Sequence, residues 1–103
     1  MLNPSRPTYR LPRGTWDTHV HVYGPASVFP FAPERTYTPE DAPAERLESL
    51  HRMLGVEHVV YVQATVHGFD NSAMLDAIAR GRGRHRGVAL VPTDASRGEL
   101  EKL

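Results

Sequence analysis

His19 and His21 stand two residues apart in "GTWDTHVHVYGP", Gly14 to Pro25, inside an otherwise β-prone stretch. Side chains alternate along a strand, so these residues share a face and lie about 6 to 7 Å apart at Cα. Two imidazoles at that spacing can reach one metal ion. A catalytic zinc takes about three protein ligands and a water, at ~2.0 to 2.1 Å for nitrogen, so the pair supplies two and needs another. Cysteine is absent, which leaves histidine and carboxylate as the ligand chemistry. Strict alternation puts Asp17 on the same face, where it is placed to orient an imidazole. The bland reading of His-x-His is a half-exposed strand whose rings are satisfied by water or backbone. Against it, a face of Asp, His and His is costly to bury without partners, and a functional cavity supplies them.

The elements that must hold this face read as alternating strands and helices. Thr15 to Val22 alternates polar and apolar residues and predicts a first strand. Tyr23 to Asp41 is rich in proline and aromatics and exceeds the usual strand-to-helix connection of ~2 to 6 residues. "APAERLESLHRMLG" carries Leu47, Leu50, Met53 and Leu54 at helical spacing, with Asp41 as N-cap, Pro43 within the first turn and Gly55 as the stop. "HVVYVQAT", His58 to Thr65, is nearly continuous in apolar character, as strands covered on both faces are. Ser72 to Arg80 predicts a second helix capped by Asp70 or Asn71, "GVALVP" a third strand, and Ser96 with Glu99 a capping box that opens a last helix.

Repeated β/α units require a parallel sheet with right-handed crossovers. The class is α/β, as an open doubly wound sheet or as the first three β/α units of a (β/α)8 TIM barrel. A whole barrel takes ~250 residues, so the 103 here match its pace and leave it incomplete. Residues 1–14 hold three prolines and a glycine and read as an irregular N-terminal arm, ahead of one domain over 15–103.

Composition narrows the partners. Twelve basic residues balance twelve acidic ones, so no global charge draws the chain to nucleic acid or an anionic membrane. No apolar run approaches the roughly 20 residues of a membrane span, and the lack of cysteine suits a reducing, cytoplasmic setting. The basic turn "ARGRGRHRG", Ala79 to Gly87, lacks interleaved aromatics and lies at the sheet end opposite His21, so it reads as a solvated turn. His67, in "TVHGFDN" after the second strand, is placed to meet the histidine pair, although a lone loop histidine is more often solvated. His51, His58 and His85 show no constellation and default to surface or structural roles. Phe29 and Phe31 are expected to pack the long loop, with the Tyr37 hydroxyl turned inward.

"WDTHVHVYGP", "FPFAPERTYTP" and "VQATVHGFDN", in that order, resemble the N-terminal third of an amidohydrolase-superfamily TIM barrel, in the branch containing 2-pyrone-4,6-dicarboxylate lactonase and sugar-lactone hydrolases. The resemblance implies hydrolysis of a lactone of a small carboxylated or sugar-derived substrate. It implies that His19 and His21 bind a divalent metal, zinc or manganese, or face the substrate carbonyl as catalytic residues. It further implies substrate contact at Tyr37 and Thr65, with His67 beside them. Members of this branch also work without metal. The family's later strands supply another histidine, carboxylate-binding arginines and a water-activating aspartate. A chain ending at Leu103 carries none of these, so the site is expected to be partial and the isolated chain inactive. The implied partners are a small lactone or carboxylate, with self-association or association with the missing barrel segments, and neither nucleic acid nor membrane. The reading from another class is a non-catalytic α/β module that binds metal or assembles with a partner chain.

Overall fold

The computed structural model describes residues 4–103, so the first three residues of the expected arm lie outside the described part. Residues 4–15 form no helix or strand. The Gly14 N–H ties their end to the sheet by donating to the Glu57 carboxylate at 3.0 Å. Seven elements follow: β1 (Trp16–Val20), α1 (Ala44–Leu54), β2 (His58–Val62), a 3-10 turn (Thr65–His67), α2 (Ser72–Arg80), β3 (Arg86–Val88) and α3 (Arg97–Glu101). The strands form one open sheet in the order β1-β2-β3, parallel throughout. This is the α/β class, in the form of the opening three units of a (β/α)8 barrel. Three strands do not close a barrel, and β1 and β3 are its free edges. No helix among the described residues is long and apolar enough to cross a membrane.

The core lies between the sheet and its helices, where Val59 and Tyr61 of β2 meet Ala44 of α1 and Ala73, Met74 and Ala77 of α2. Val59 and Tyr61 are among the most completely buried side chains, and burying a residue of valine size stabilises by about 1.5 to 3 kcal/mol. Small residues on α2 let it lie close to β2 and β3. Gly87 serves the same contact, since a Cβ there would fall 2.4 Å from Ile78 Cδ1.

Boundaries differ from the sequence reading where side chains take over backbone roles. Helix α1 begins after Pro43, which occupies the N-cap. Asp41, expected there, instead turns its carboxylate to the loop and accepts from the Ala26 N–H at 3.2 Å. Gly55, in the left-handed region at φ 87°, stops the helix as expected. Strand β2 ends at Val62 because the chain winds into the 3-10 turn. Strand β3 ends at Val88 rather than running to Pro92. Beyond it the buried Asn71 carboxamide acts as a surrogate strand, donating to Leu90 O at 2.9 Å and accepting from the Leu90 N–H at 3.0 Å. Ser96 caps α3 by accepting from the Glu99 N–H at 3.1 Å, as the capping box predicts.

One irregularity decides which residues face the open side of the sheet. Asp17 pairs with Val59 but Val20 pairs with Tyr61, so β1 advances three residues while β2 advances two. This is a β-bulge. It puts Asp17 and Val20 on the helix side, where Val20 joins the core. His19 and His21, flanking Val20, take the opposite face. Asp17 therefore does not share a face with the histidines, which corrects the strict alternation read from the sequence.

Candidate active site

The histidine pair sits at the carboxyl end of β1, on the face that helices do not cover. Its rings are 5.3 Å apart between centroids and nearly perpendicular, at 87°. His21 Nδ1 lies 2.9 Å from Val62 O. A carbonyl only accepts, so Nδ1 carries the proton and Nε2 keeps its lone pair. Both side chains are exposed.

This donor set fits part of a metal site. Two imidazoles sharing a tetrahedral ion at ~2.0 to 2.1 Å have centroids about 5 Å apart, close to the spacing seen. No group of three or more histidine or carboxylate side chains suited to a metal occurs among the described residues. The pair therefore offers two ligands. Asp17 is not a member, because its carboxylate accepts from His51 Nε2 of α1 at 2.9 Å.

Tyr37 and Thr65 are brought together across a cleft of about 270 Å³. One wall is the loop around Ala32 to Tyr37 and the other is the turn from Thr65 to Phe69. Both residues are exposed. The Tyr23 phenol is pushed above its ordinary value by burial first and by the neighbouring Tyr37 second. The Tyr23 ring lies 6.1 Å from that of His21. Its backbone is pinned by a two-way bridge to Ala42, at 3.0 and 2.8 Å. Tyr23 thus lies between the histidine pair and Tyr37 as a neighbour of both, and the sequence reading passed over it. The available signal was its spacing, since 19, 21 and 23 continue the same two-residue step.

His67, expected beside the substrate, has other work. It is 3 % exposed. Nδ1 lies 3.1 Å from Pro30 O, and Nε2 accepts from the Gly24 N–H at 3.1 Å. With both nitrogens engaged by backbone, it offers neither to a ligand in this arrangement. Phe31 stacks obliquely on it at 5.1 Å, and Phe29 packs on the core, as the loop reading expects. His51 and His85 are buried and structural. His58 stacks on Trp16 at 4.6 Å and reaches Arg84 O at 2.9 Å.

Residues 16–103 match the family model described as amidohydrolase. The chain belongs to the amidohydrolase family. Among curated members it is 52% identical over 101 residues to a 2-pyrone-4,6-dicarboxylate hydrolase from Comamonas testosteroni, covering 98% of this chain and 33% of that protein. It is 47% identical over 81 residues to a 4-sulfomuconolactone hydrolase from Rhizobium radiobacter, covering 79% of this chain and 27% of the relative. A probable 2-pyrone-4,6-dicarboxylic acid hydrolase from Acinetobacter baumannii, solved with citric acid bound, aligns with a TM-score of 0.76 and 29% identity over 85% of this chain and 33% of that one. The chain spans about a third of the length of the curated relatives it matches.

Proposed function

We propose that this chain carries the first part of the active site of a lactone hydrolase acting on a small carboxylated or sugar-derived cyclic ester. The observation that carries the reading is the His19 and His21 pair on the open face of β1, with His21 held by Val62 O so that Nε2 is free. In the complete barrel, water attacks the lactone carbonyl, the ring C–O bond breaks, and the ring oxygen leaves as a hydroxyl. Negative charge gathers on the carbonyl oxygen in the transition state, and the pair stabilises it either by donating from an imidazole N–H or, with His21 Nε2 unprotonated, through a cation that the two rings would hold. A divalent metal, zinc or manganese, held by the two imidazoles would supply Lewis-acid polarisation of the same carbonyl. Tyr37 and Thr65 hold the substrate across their cleft. The general base comes from a later strand, so the 103-residue chain alone is inactive.

The relatives named for lactone hydrolysis support this reading, and the lack of cysteine suits a cytoplasmic setting. The test is hydrolysis of 2-pyrone-4,6-dicarboxylate and of 4-sulfomuconolactone by the full-length protein that carries this sequence. Turnover of either that is lost in His21→Ala supports the proposal. Turnover untouched by His19→Ala and His21→Ala, or cleavage of neither lactone, overturns it.

A further inference from the structure

The 37 and 43 residues that separate His67 from Pro30 and Gly24 span the whole of α1 and β2, yet one imidazole joins all three. A backbone N–H can only donate and a carbonyl can only accept, so both bonds exist together only for a neutral ring protonated at Nδ1. We infer that His67, in this tautomer, is the positioning residue of the Tyr37 and Thr65 cleft: it clamps the 23–41 loop onto the 65–69 turn and sets the distance between the cleft walls. The inference rests on the proposed role of that cleft.

Three further observations support the clamp. The Ala32 N–H donates to Val66 O at 2.6 Å, joining the two walls next to the imidazole. Phe31, which precedes Ala32, covers the ring and excludes water from these bonds. Gly24 lies in the left-handed region at φ +65°, where a Cβ would fall 2.6 Å from Asp41 Oδ1, so glycine is what lets this N–H reach the ring. The charged groups around the clamp are Glu34, Arg35 and Asp41 from the loop and Asp70 just after the turn. None of their side chains hydrogen-bonds the His67 ring, whose two polar contacts are with backbone alone; the Asp70 N–H donates to the His67 carbonyl.

Nitrogen-resolved NMR of this chain tests the inference without any substrate. The wild-type ring is expected to show a protonated Nδ1 and an unprotonated Nε2. His67→Phe fills the same space without either bond, and is expected to speed amide exchange at Gly24 and Ala32 by roughly tenfold while the β2 amides of Val59 and Tyr61 keep their protection. His67→Gln offers a donor and an acceptor, and is expected to restore most of the protection and the wild-type shifts of Tyr37 and Thr65. A ring protonated at Nε2 overturns the clamp, as does unchanged exchange in the phenylalanine variant or a glutamine variant no better than it. Should the phenylalanine variant fail to fold, the wild-type tautomer decides. Failure of lactone hydrolysis would remove the proposed function and leave these readouts standing.

Discussion

Asp17 of β1 and His51 of α1 are joined by a hydrogen bond of 2.9 Å on the helix side of the sheet, away from the histidine pair. His51 is 5% exposed. Removing its acceptor leaves a buried N–H without a partner, at a cost of about 1 to 3 kcal/mol. Asp17→Ala is therefore expected to lose about 2 kcal/mol in urea unfolding, and Asp17→Asn, which keeps an acceptor oxygen, to lose less. Zinc titration should find the same affinity in Asp17→Asn as in the parent. A fall in that affinity would return Asp17 to the histidines' side.

Acid should weaken the fold in two stages. Burial, then Arg84, hold the His85 imidazole below its ordinary value of 6.5, and its Nδ1 accepts from the Val59 N–H at 3.2 Å. The folded chain takes up this proton less readily than the unfolded one. The stability it contributes is complete above about 6.5 and is lost as pH falls toward the lower folded value. Glu48, through its hydrogen bonds to Arg80, and Asp70, through those to Ser72, are held below their ordinary 4.5 and 3.8. Their contributions persist at mild acidity and disappear as pH falls below those values. Urea midpoints measured from pH 7.5 to 3 should decline in this order, and His85→Gln should flatten the upper stage. A single drop confined to the carboxylate range would refute the assignment to His85.

The surrogate strand made by Asn71 predicts a penalty out of proportion to one side chain. Asn71→Ala removes both bonds to Leu90, and is expected to destabilise by about 2 to 3 kcal/mol. Amide exchange at Leu90 should rise in parallel. Wild-type protection of Leu90 in this variant would mean that the segment after β3 is held by something else.

Much of the architecture was legible because it follows from periodicity. The helix over Ser72 to Arg80 matches its expected span; of the apolar residues Met74, Leu75 and Ile78 that predict it, Met74 is buried with Ala73 and Ala77, and Leu75 and Ile78 are half-buried at the edge of the core. What could not be read were contacts whose partners are main-chain atoms. Nothing in the residue types of Gly24 or Pro30 announces that they will occupy both nitrogens of His67, and no local pattern reveals that Asn71 will pair with Leu90. Strand β3 was overextended for the same reason, because "GVALVP" keeps its β-prone composition past the point where the ladder ends. The facing of Asp17 was lost to the bulge, which alternation cannot express. The histidine pair was legible because two like residues at a two-residue step carry their own geometry.

The three-for-two register of β1 against β2 also bears on how such chains are compared. With the extra residue absorbed between Asp17 and Val20, a version of this strand shorter by one at Thr18 would return to plain alternation. Asp17 would still face α1, and both imidazoles would still face the open side. A one-residue gap at this point is therefore silent in three dimensions, although it shifts every following position in an alignment. Anchoring such an alignment on His19 and His21, rather than on Asp17, keeps equivalent atoms in equivalent columns.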